Sequence, residues 1–137
     1  MGNECENWFE IKTTNKDTLR KLSEELKTIG YNGCYGYRDI ETTDNKLTAR
    51  GTTKWNPPID DFKRWTETYP DIELTALYKE EFLQFAGRIT SDSQEHVDFE
   101  TVTPEDVRNA DSGILYELNT KLYLADHMDD WERNDNV

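Results

Sequence analysis

The side chains best suited to catalysis or metal binding are the two histidines of the chain, His96 and His127. His96 alternates with Asp98 and Glu100, so all three would point to the same side of a strand. His127 lies within the acidic run 126–130. Neither cluster has a tight ligand spacing such as His-Glu-x-x-His, and acidic clusters without one are usually solvated surface. We therefore expect neither a metal nor any other cofactor.

Nucleophilic catalysis would need a base beside a thiol or hydroxyl group, and histidine usually supplies that base. The two cysteines are Cys5 and Cys34. A pairing of Cys5 with His96, or of Cys34 with His127, stays open, although the spacing points to neither. We expect both thiols to be reduced, because soluble cytosolic proteins seldom keep disulfides. The expected protein is not an enzyme, and a small metal- or histidine-dependent enzyme is the alternative.

The charge of the chain limits its partners more than any motif does. Its 137 residues carry 29 acidic and 16 basic side chains, a formal net charge of −13. Residues 1–91 have 16 acids and 13 bases, whereas residues 92–137 have 13 acids and 3 bases. Such a surface repels nucleic-acid phosphates and anionic lipid. No apolar run approaches the roughly 20 residues that cross a bilayer. We therefore expect a partner with a basic surface, and no direct nucleic-acid or membrane binding.

Aromatic residues make up 12% of the chain, and on a sheet they could form a platform for RNA bases. This second alternative, a nucleic-acid-binding module, needs cationic surroundings that an acidic chain does not provide. Packing in the core and on the sheet face is the favoured interpretation of these rings. The rings concerned are Trp8, Tyr31, Tyr35, Tyr37, Trp55, Trp65, Tyr69 and Tyr78.

The elements that position these residues follow from hydrophobic periodicity. Apolar and polar residues alternate in five segments, which predicts strands at 8–13, 35–40, 47–55, 72–79 and 83–90. Apolar residues recur three or four apart at 15–29 and 57–69, which predicts two amphipathic helices. An antiparallel sheet with both helices on one face would bury these stripes in an α+β fold. The residues expected to be nearly buried are Leu22, Leu26, Phe62, Trp65, Leu74 and Phe85.

Beyond Ser91 the sequence predicts an acidic extension that is mainly helical. Alternation at 97–101 allows a short strand, and Thr103-Pro104 followed by Asp106 is a typical helix start. Apolar residues at 114, 118, 122, 125 and 128 favour a helix, although a hairpin turned at 119–120 stays open. The chain is therefore predicted to be a single domain over 1–137, with a core at 1–91 and the extension at 92–137.

Several short patterns of the core occur in the order and spacing of a known family. They are Cys5-x-Asn7, Trp55-Asn56-Pro57-Pro58, Tyr69-Pro70, Tyr78 and Phe85-Ala86-Gly87. In these patterns residues 5–90 resemble the YubB ferredoxin-like family, small accessory proteins of phages and plasmids. The resemblance implies a ferredoxin-like sheet and a phage or mobile-element origin, and it implies no activity. The turn Glu80-Glu81-Phe82 departs from the family, which usually has a glycine there, and the extension lies outside the family pattern.

These observations favour a non-enzymatic protein that binds and inhibits a host protein, such as a defence-system component, in the host cytoplasm. The acidic extension would mimic nucleic acid on a basic surface of that partner. Charge alone rarely gives a tight complex, so we also expect an exposed aromatic anchor, either Tyr123 or Trp131. The other expected contact residues are Asp92, Glu95, Asp98, Glu100, Glu105, Asp106, Asp126, Asp129 and Asp130. The alternative is an acidity that only keeps the protein soluble.

Overall fold

A computed structural model describes residues 4–29, 37–54 and 57–135. Within these residues the order of elements is β1 (Glu4–Lys12), α1 (Lys16–Ile29), β2 (Tyr37–Thr42), β3 (Lys46–Lys54), α2 (Ile59–Thr68), β4 (Glu73–Glu80), β5 (Ala86–Thr90), β6 (Gln94–His96), α3 (Pro104–Asn109), α4 (Gly113–Leu122) and α5 (Leu124–Asp135). None of the described helices has the length and apolar character needed to cross a membrane.

The strands form one antiparallel sheet in the order β2-β3-β1-β4-β5-β6. The first four strands and the first two helices follow the β-α-β-β-α-β order of a ferredoxin-like fold. The predicted α+β class, with a ferredoxin-like sheet, is therefore confirmed. α1 packs over β2 and β3, and α2 packs over β4. β5 and β6 continue the sheet at one edge, past the strands that these two helices cover.

Local sequence signals explain where two of the helices begin. The side-chain oxygen of Asn15 accepts hydrogen bonds from the backbone N–H groups of Asp17 and Thr18, at 3.0 and 3.2 Å, so it caps α1. α3 begins with a capping box, in which Thr103 and Asp106 each accept a hydrogen bond from the other's backbone N–H. Such caps satisfy N–H groups that have no partner inside the helix.

The first core lies between the sheet and the helices α1 and α2, and it is built around aromatic rings. The ring of Phe9 on β1 contacts those of Tyr37, Phe62 and Trp65, with centroids 5.5 to 5.6 Å apart. The predicted burial is confirmed for Phe62 and Trp65, and likewise for Leu22, Leu26 and Leu74.

The second core lies on the opposite face of the sheet, beneath α3, α4 and α5. Leu77 of β4 packs there with Val107, Leu118 and Leu122, and Trp8 of β1 packs against this cluster. The extension is therefore a helical layer on the sheet. β4 shows why the sheet needs this second layer. Its consecutive residues Ala76, Leu77 and Tyr78 are all buried, and a strand that is apolar on both faces must be covered on both faces.

Three sequence-based expectations about the last strands were wrong. The strand predicted at 83–90 begins only at Ala86, because Leu83 has a left-handed backbone with φ 55° in the preceding turn. Phe85 is half-buried and not nearly buried, since it lies just before β5 and lines a surface cleft. The short strand falls at Gln94–His96, and the segment predicted for it, 97–101, has no strand.

The helix favoured over 114–128 is confirmed as helical but is divided into α4 and α5. The break is at Tyr123, whose φ of 56° ends α4 in the left-handed region. Parts of other predictions fall outside the described residues. Tyr35 and Trp55 were predicted to lie at the ends of two strands, and Cys34 was predicted to form no disulfide with Cys5. The division of the chain into one domain stays a prediction.

Candidate functional site

The predicted contact residues lie on the turn before β6, on β6, on the loop that follows it, and on α3 and α5. Among the acids, Asp92, Glu95, Asp98, Glu100, Glu105, Asp106, Asp126 and Asp130 are exposed, and Asp129 is half-buried. Tyr123, between α4 and α5, is 62% exposed. For Trp131 the backbone lies in α5, and the side chain is outside the described part. We call residues 92–135 the acidic segment.

The two described cations of the acidic segment are engaged in contacts between elements. Arg108 of α3 forms ion pairs with Asp126, at 3.3 Å, and with Asp129, both on α5. Lys121 of α4 lies over the indole ring of Trp8, with Nζ 4.8 Å from the ring centroid. These cations hold helices together, and Arg108 accounts for only two of the acids.

The acids of the segment fall into two groups according to their contacts. Glu95 forms an ion pair with Arg88 of β5 at 2.7 Å, and the Asp106 side chain accepts a hydrogen bond in the capping box of α3. By contrast, Asp92, Glu100 and Glu105 form no ion pair with any residue in the described ranges. These three exposed carboxylates carry negative charge that no neighbouring cation offsets within the described part of the chain.

Tyr123 presents a ring to solvent from a fixed backbone. Leu122 and Leu124 on either side of it are buried, and its left-handed conformation turns the chain between them. Its backbone N–H donates to the carbonyl oxygen of Asn119 at 3.1 Å, and the Asn119 side chain accepts from the N–H of Ala125 at 3.0 Å. Tyrosine rarely adopts this conformation, and an exposed ring on a backbone with these contacts is suited to anchoring a partner.

His127 attaches α5 to the turn that follows β4. Its Nε2 donates to the backbone carbonyl oxygen of Glu81 at 2.8 Å. Burial, and then the charge of Lys79, lower the pKa of His127 below its ordinary value. Burial also lowers the pKa of Lys79, against the effect of Glu6, whose carboxylate lies 3.4 Å from Nζ. In the ranges that the structure describes, no group of three or more His, Cys, Asp and Glu side chains could hold a metal ion.

Cys5 and His96, one of the two possible nucleophile–base pairs, have different partners. Cys5 is fully buried, and its thiol donates to Oδ1 of Asn7 at 3.6 Å. Burial raises the pKa of Cys5 to about 12, which keeps the thiol protonated at neutral pH. His96 instead hydrogen-bonds through Nδ1 to the phenol of Tyr78 at 3.2 Å. The other pairing, Cys34 with His127, involves a residue outside the described ranges.

Two arginines of the core that contact the acidic segment were absent from the predicted site. Arg50 of β3 donates to the backbone carbonyl oxygen of Lys121, at the end of α4. Arg88 of β5 bridges Glu95 on β6 and Glu117 on α4, at 2.7 and 2.6 Å. The sequence could have pointed to both arginines, because strand alternation places them on the sheet face opposite the first core. That is the face against which the C-terminal helices pack.

A comparison with known proteins supports the fold and gives no activity. Residues 34–123 match a family model described as a ferredoxin-like domain in Api92-like protein. The match supports a ferredoxin-like family and does not carry the YubB name. It extends past residue 90 into the acidic segment, which was expected to lie outside the family pattern. No curated protein and no solved structure gives a significant match.

Proposed function

The chain belongs to the family of ferredoxin-like domains in Api92-like proteins, and we propose that it is a non-enzymatic accessory protein that binds and inhibits a host protein. On this proposal it acts in the host cytoplasm, where its acidic segment takes the place of nucleic acid on a basic surface. A defence-system component is the kind of partner that has such a surface. The resemblance of residues 5–90 to the YubB family supports a phage or mobile-element origin.

The observation that carries the proposal is the exposed charge at Asp92, Glu100 and Glu105, which no described cation offsets. A basic surface that approaches these carboxylates gains attraction without first breaking an ion pair within the protein. Exposed charges interact over about 8 Å at physiological salt, so they act mainly on the rate of association. The net charge of −13 extends the same attraction over the whole molecule.

Tyr123 supplies the apolar contact that charge alone does not. It is the most exposed of the large hydrophobic residues in the described part of the chain, at 62%. Aromatic residues surrounded by polar positions are typical centres of binding energy in protein interfaces. The backbone of Tyr123 is already held by the α4–α5 junction, so only the rotamer freedom of its side chain is lost when a partner covers the ring.

Capture of partners on the immobilised full-length chain from a host-cell lysate, followed by elution with rising salt, tests the proposal. We expect a basic protein whose recovery falls as the salt concentration rises, because screening weakens exposed charge pairs. A partner that elutes only with denaturant and shows no salt dependence would contradict the electrostatic mechanism.

The anchor is tested with Tyr123→Asn, because asparagine accepts the left-handed backbone and removes the ring. Tyr116→Asn is the matched control, since Tyr116 is also an exposed tyrosine, at 45%, but lies within α4. We expect Tyr123→Asn to weaken capture of the partner by about tenfold or more, a loss typical of an interface anchor. Equal capture by the two variants would exclude Tyr123 as the anchor.

A further inference from the structure

A cleft of about 760 Å³ lies where α2 leaves the last two strands uncovered. Its walls are the end of β3, the first turn of α2 and strand β6, and its lining includes Thr53, Tyr78, Phe85, Gln94 and His96. The volume is within the range of about 300–1,000 Å³ that is usual for ligand pockets. Strand alternation places Thr53 on the face of β3 that packs beneath α1 and α2, so the cleft opens on the side of the sheet opposite α3, α4 and α5.

A hydrogen-bond network centred on Tyr78 links the floor of the cleft to β6. The Nε2 group of Gln94 donates to the phenol oxygen of Tyr78 at 3.0 Å, and Nδ1 of His96 lies 3.2 Å from the same oxygen. Tyr78, Gly87 and His96 are consecutive partners across three strands. A Cβ atom at Gly87 would lie 2.4 Å from the phenol oxygen. Glycine at this position therefore lets the tyrosine cross β5 and reach both side chains of β6.

The single phenolic proton determines what this network offers to a ligand. If Nδ1 of His96 carries no proton, the phenol donates to it and Gln94 donates to the phenol. The groups left over are then N–H at Nε2 of His96, a donor, and the amide oxygen of Gln94, an acceptor. If Nδ1 carries the proton, the phenol oxygen accepts from both His96 and Gln94. Nε2 of His96 is then an acceptor, and the phenolic O–H is left over as a donor. In both cases one donor and one acceptor lie near each other, because both side chains converge on the same oxygen.

The rest of the described lining combines apolar side chains with one basic and two acidic residues. Phe85 is half-buried with its ring centroid 6.0 Å from that of Tyr78, Pro57 and Pro58 are half-buried, and Ile59 is 40% exposed. Such surfaces suit the faces of a planar ring. Lys54 and Asp60 are exposed at the rim with opposite charges, and Asp61 is already bonded by Tyr37 at 2.7 Å. The net charge of −13 opposes a phosphate group.

We propose that this cleft binds an uncharged planar ring with adjacent N–H and C=O groups, the edge of a pyrimidine nucleobase. The ring lies against Phe85 and the two prolines, and its N–H and C=O groups pair with Gln94 and His96. The base is that of a free nucleoside, because phosphates of a nucleotide or a strand meet the negative potential of the protein. The cleft shares strand β6 with the acidic segment but faces the side of the sheet opposite α3, α4 and α5, and this proposal does not rest on the proposed function.

Titration of the ¹⁵N-labelled full-length chain with uridine, followed by ¹H–¹⁵N correlation spectra, tests the site. We expect saturable shifts of the amides at 59–60 and 94–96. N3-methyluridine lacks the N–H group and leaves a polar group of the cleft unpaired, so it should bind about tenfold more weakly. A short oligouridylate distinguishes the free nucleoside from a strand, and it should bind more weakly per base than uridine. Equal affinity for uridine and N3-methyluridine, or no saturable shift at these amides, would overturn the proposal.

A pair of glutamine variants tests the residues. Gln94 lines the cleft and Gln84 does not, and both are exposed. Gln94→Leu should weaken uridine binding by about tenfold, since it removes one of the two hydrogen-bonding groups. Gln84→Leu, the same chemical change elsewhere on the surface, should bind uridine as the unaltered chain does. Unchanged binding by Gln94→Leu would show that the donor–acceptor pair does not recognise the ring.

Discussion

Arg50 of β3 donates a hydrogen bond from Nη1 to the backbone carbonyl oxygen of Lys121, 2.6 Å away, at the last turn of α4. Such a carbonyl has no partner within its own helix, and a guanidinium there also meets the negative end of the helix dipole. The side chain of the same lysine lies over Trp8. The end of α4 is thus held to the sheet at two points.

Replacing Arg50 with methionine should lower the free energy of unfolding by about 1.5–3 kcal/mol, the usual value of a hydrogen bond to a charged group. Methionine keeps much of the side-chain volume, so the measurement reports mainly the lost bond. Arg38→Met is the control, because Arg38 is exposed and bonds to Thr52 within the sheet. Equal destabilisation of both variants in chemical denaturation would contradict a special role for Arg50.

Leu77→Ala tests whether the second core holds the whole domain together. Leu77 is 1% exposed beneath the C-terminal helices, and truncating such a residue costs about 2–5 kcal/mol. If residues 1–137 are one domain, unfolding of the variant should remain a single transition at lower denaturant concentration. Two transitions, with the near-ultraviolet signal of the first core preserved after the first of them, would contradict the single domain.

His127 should make the protein less stable in mild acid. Its pKa in the folded chain is below the ordinary value of 6.5, so the unfolded chain binds a proton first as the pH falls. The stability present above about pH 6.5 is then lost as the pH falls through the folded-state pKa. Lys79, Glu6 and Asp130 are the charged groups that act on this imidazole. Denaturation midpoints between pH 7.5 and 5.5 should fall for the unaltered chain and change less for His127→Gln, and parallel curves would contradict this.

The two cysteines should be reduced, and Cys5 should be protected. The Cys5 side chain is fully buried and its pKa is raised by burial, so alkylation with iodoacetamide should be slow in the native protein. After denaturation without reductant, mass spectrometry should show two alkylated cysteines. A chain that adds no label until a reductant is supplied would establish the disulfide that we do not expect.

The ferredoxin-like core could be predicted from the sequence because its strands and helices have clear periodicities. Phe9 and Ile11 alternate with polar residues, and Leu22 and Leu26 are one helical turn apart. Each pattern by itself indicates which face is buried. The ends of elements were less predictable. Leu83 has the side chain of a strand residue, yet it adopts a left-handed backbone conformation in the turn before β5.

The placement of the acidic segment could not be predicted from local patterns, because it depends on pairs far apart in the chain. Arg50 and Lys121 are separated by 71 positions, and neither residue type indicates the other. Leu77 was a further hint, as an apolar residue on the face of β4 opposite Leu74 and Ala76. The distinction between paired and unpaired acids likewise required the positions of Arg88 and Arg108.

The most direct test of the proposed function compares two triple charge reversals in partner capture. One variant changes Asp92, Glu100 and Glu105 to lysine; the control changes Asp44, Glu67 and Glu73, which are also exposed and form no ion pair with any described residue. Both alter the net charge equally, and surface substitutions of this kind usually change stability by only about 0.5 kcal/mol each. We expect the first variant to lose the salt-sensitive partner and the control to retain it. Capture of that partner by both variants, or its loss from both, would contradict a binding surface on the acidic segment.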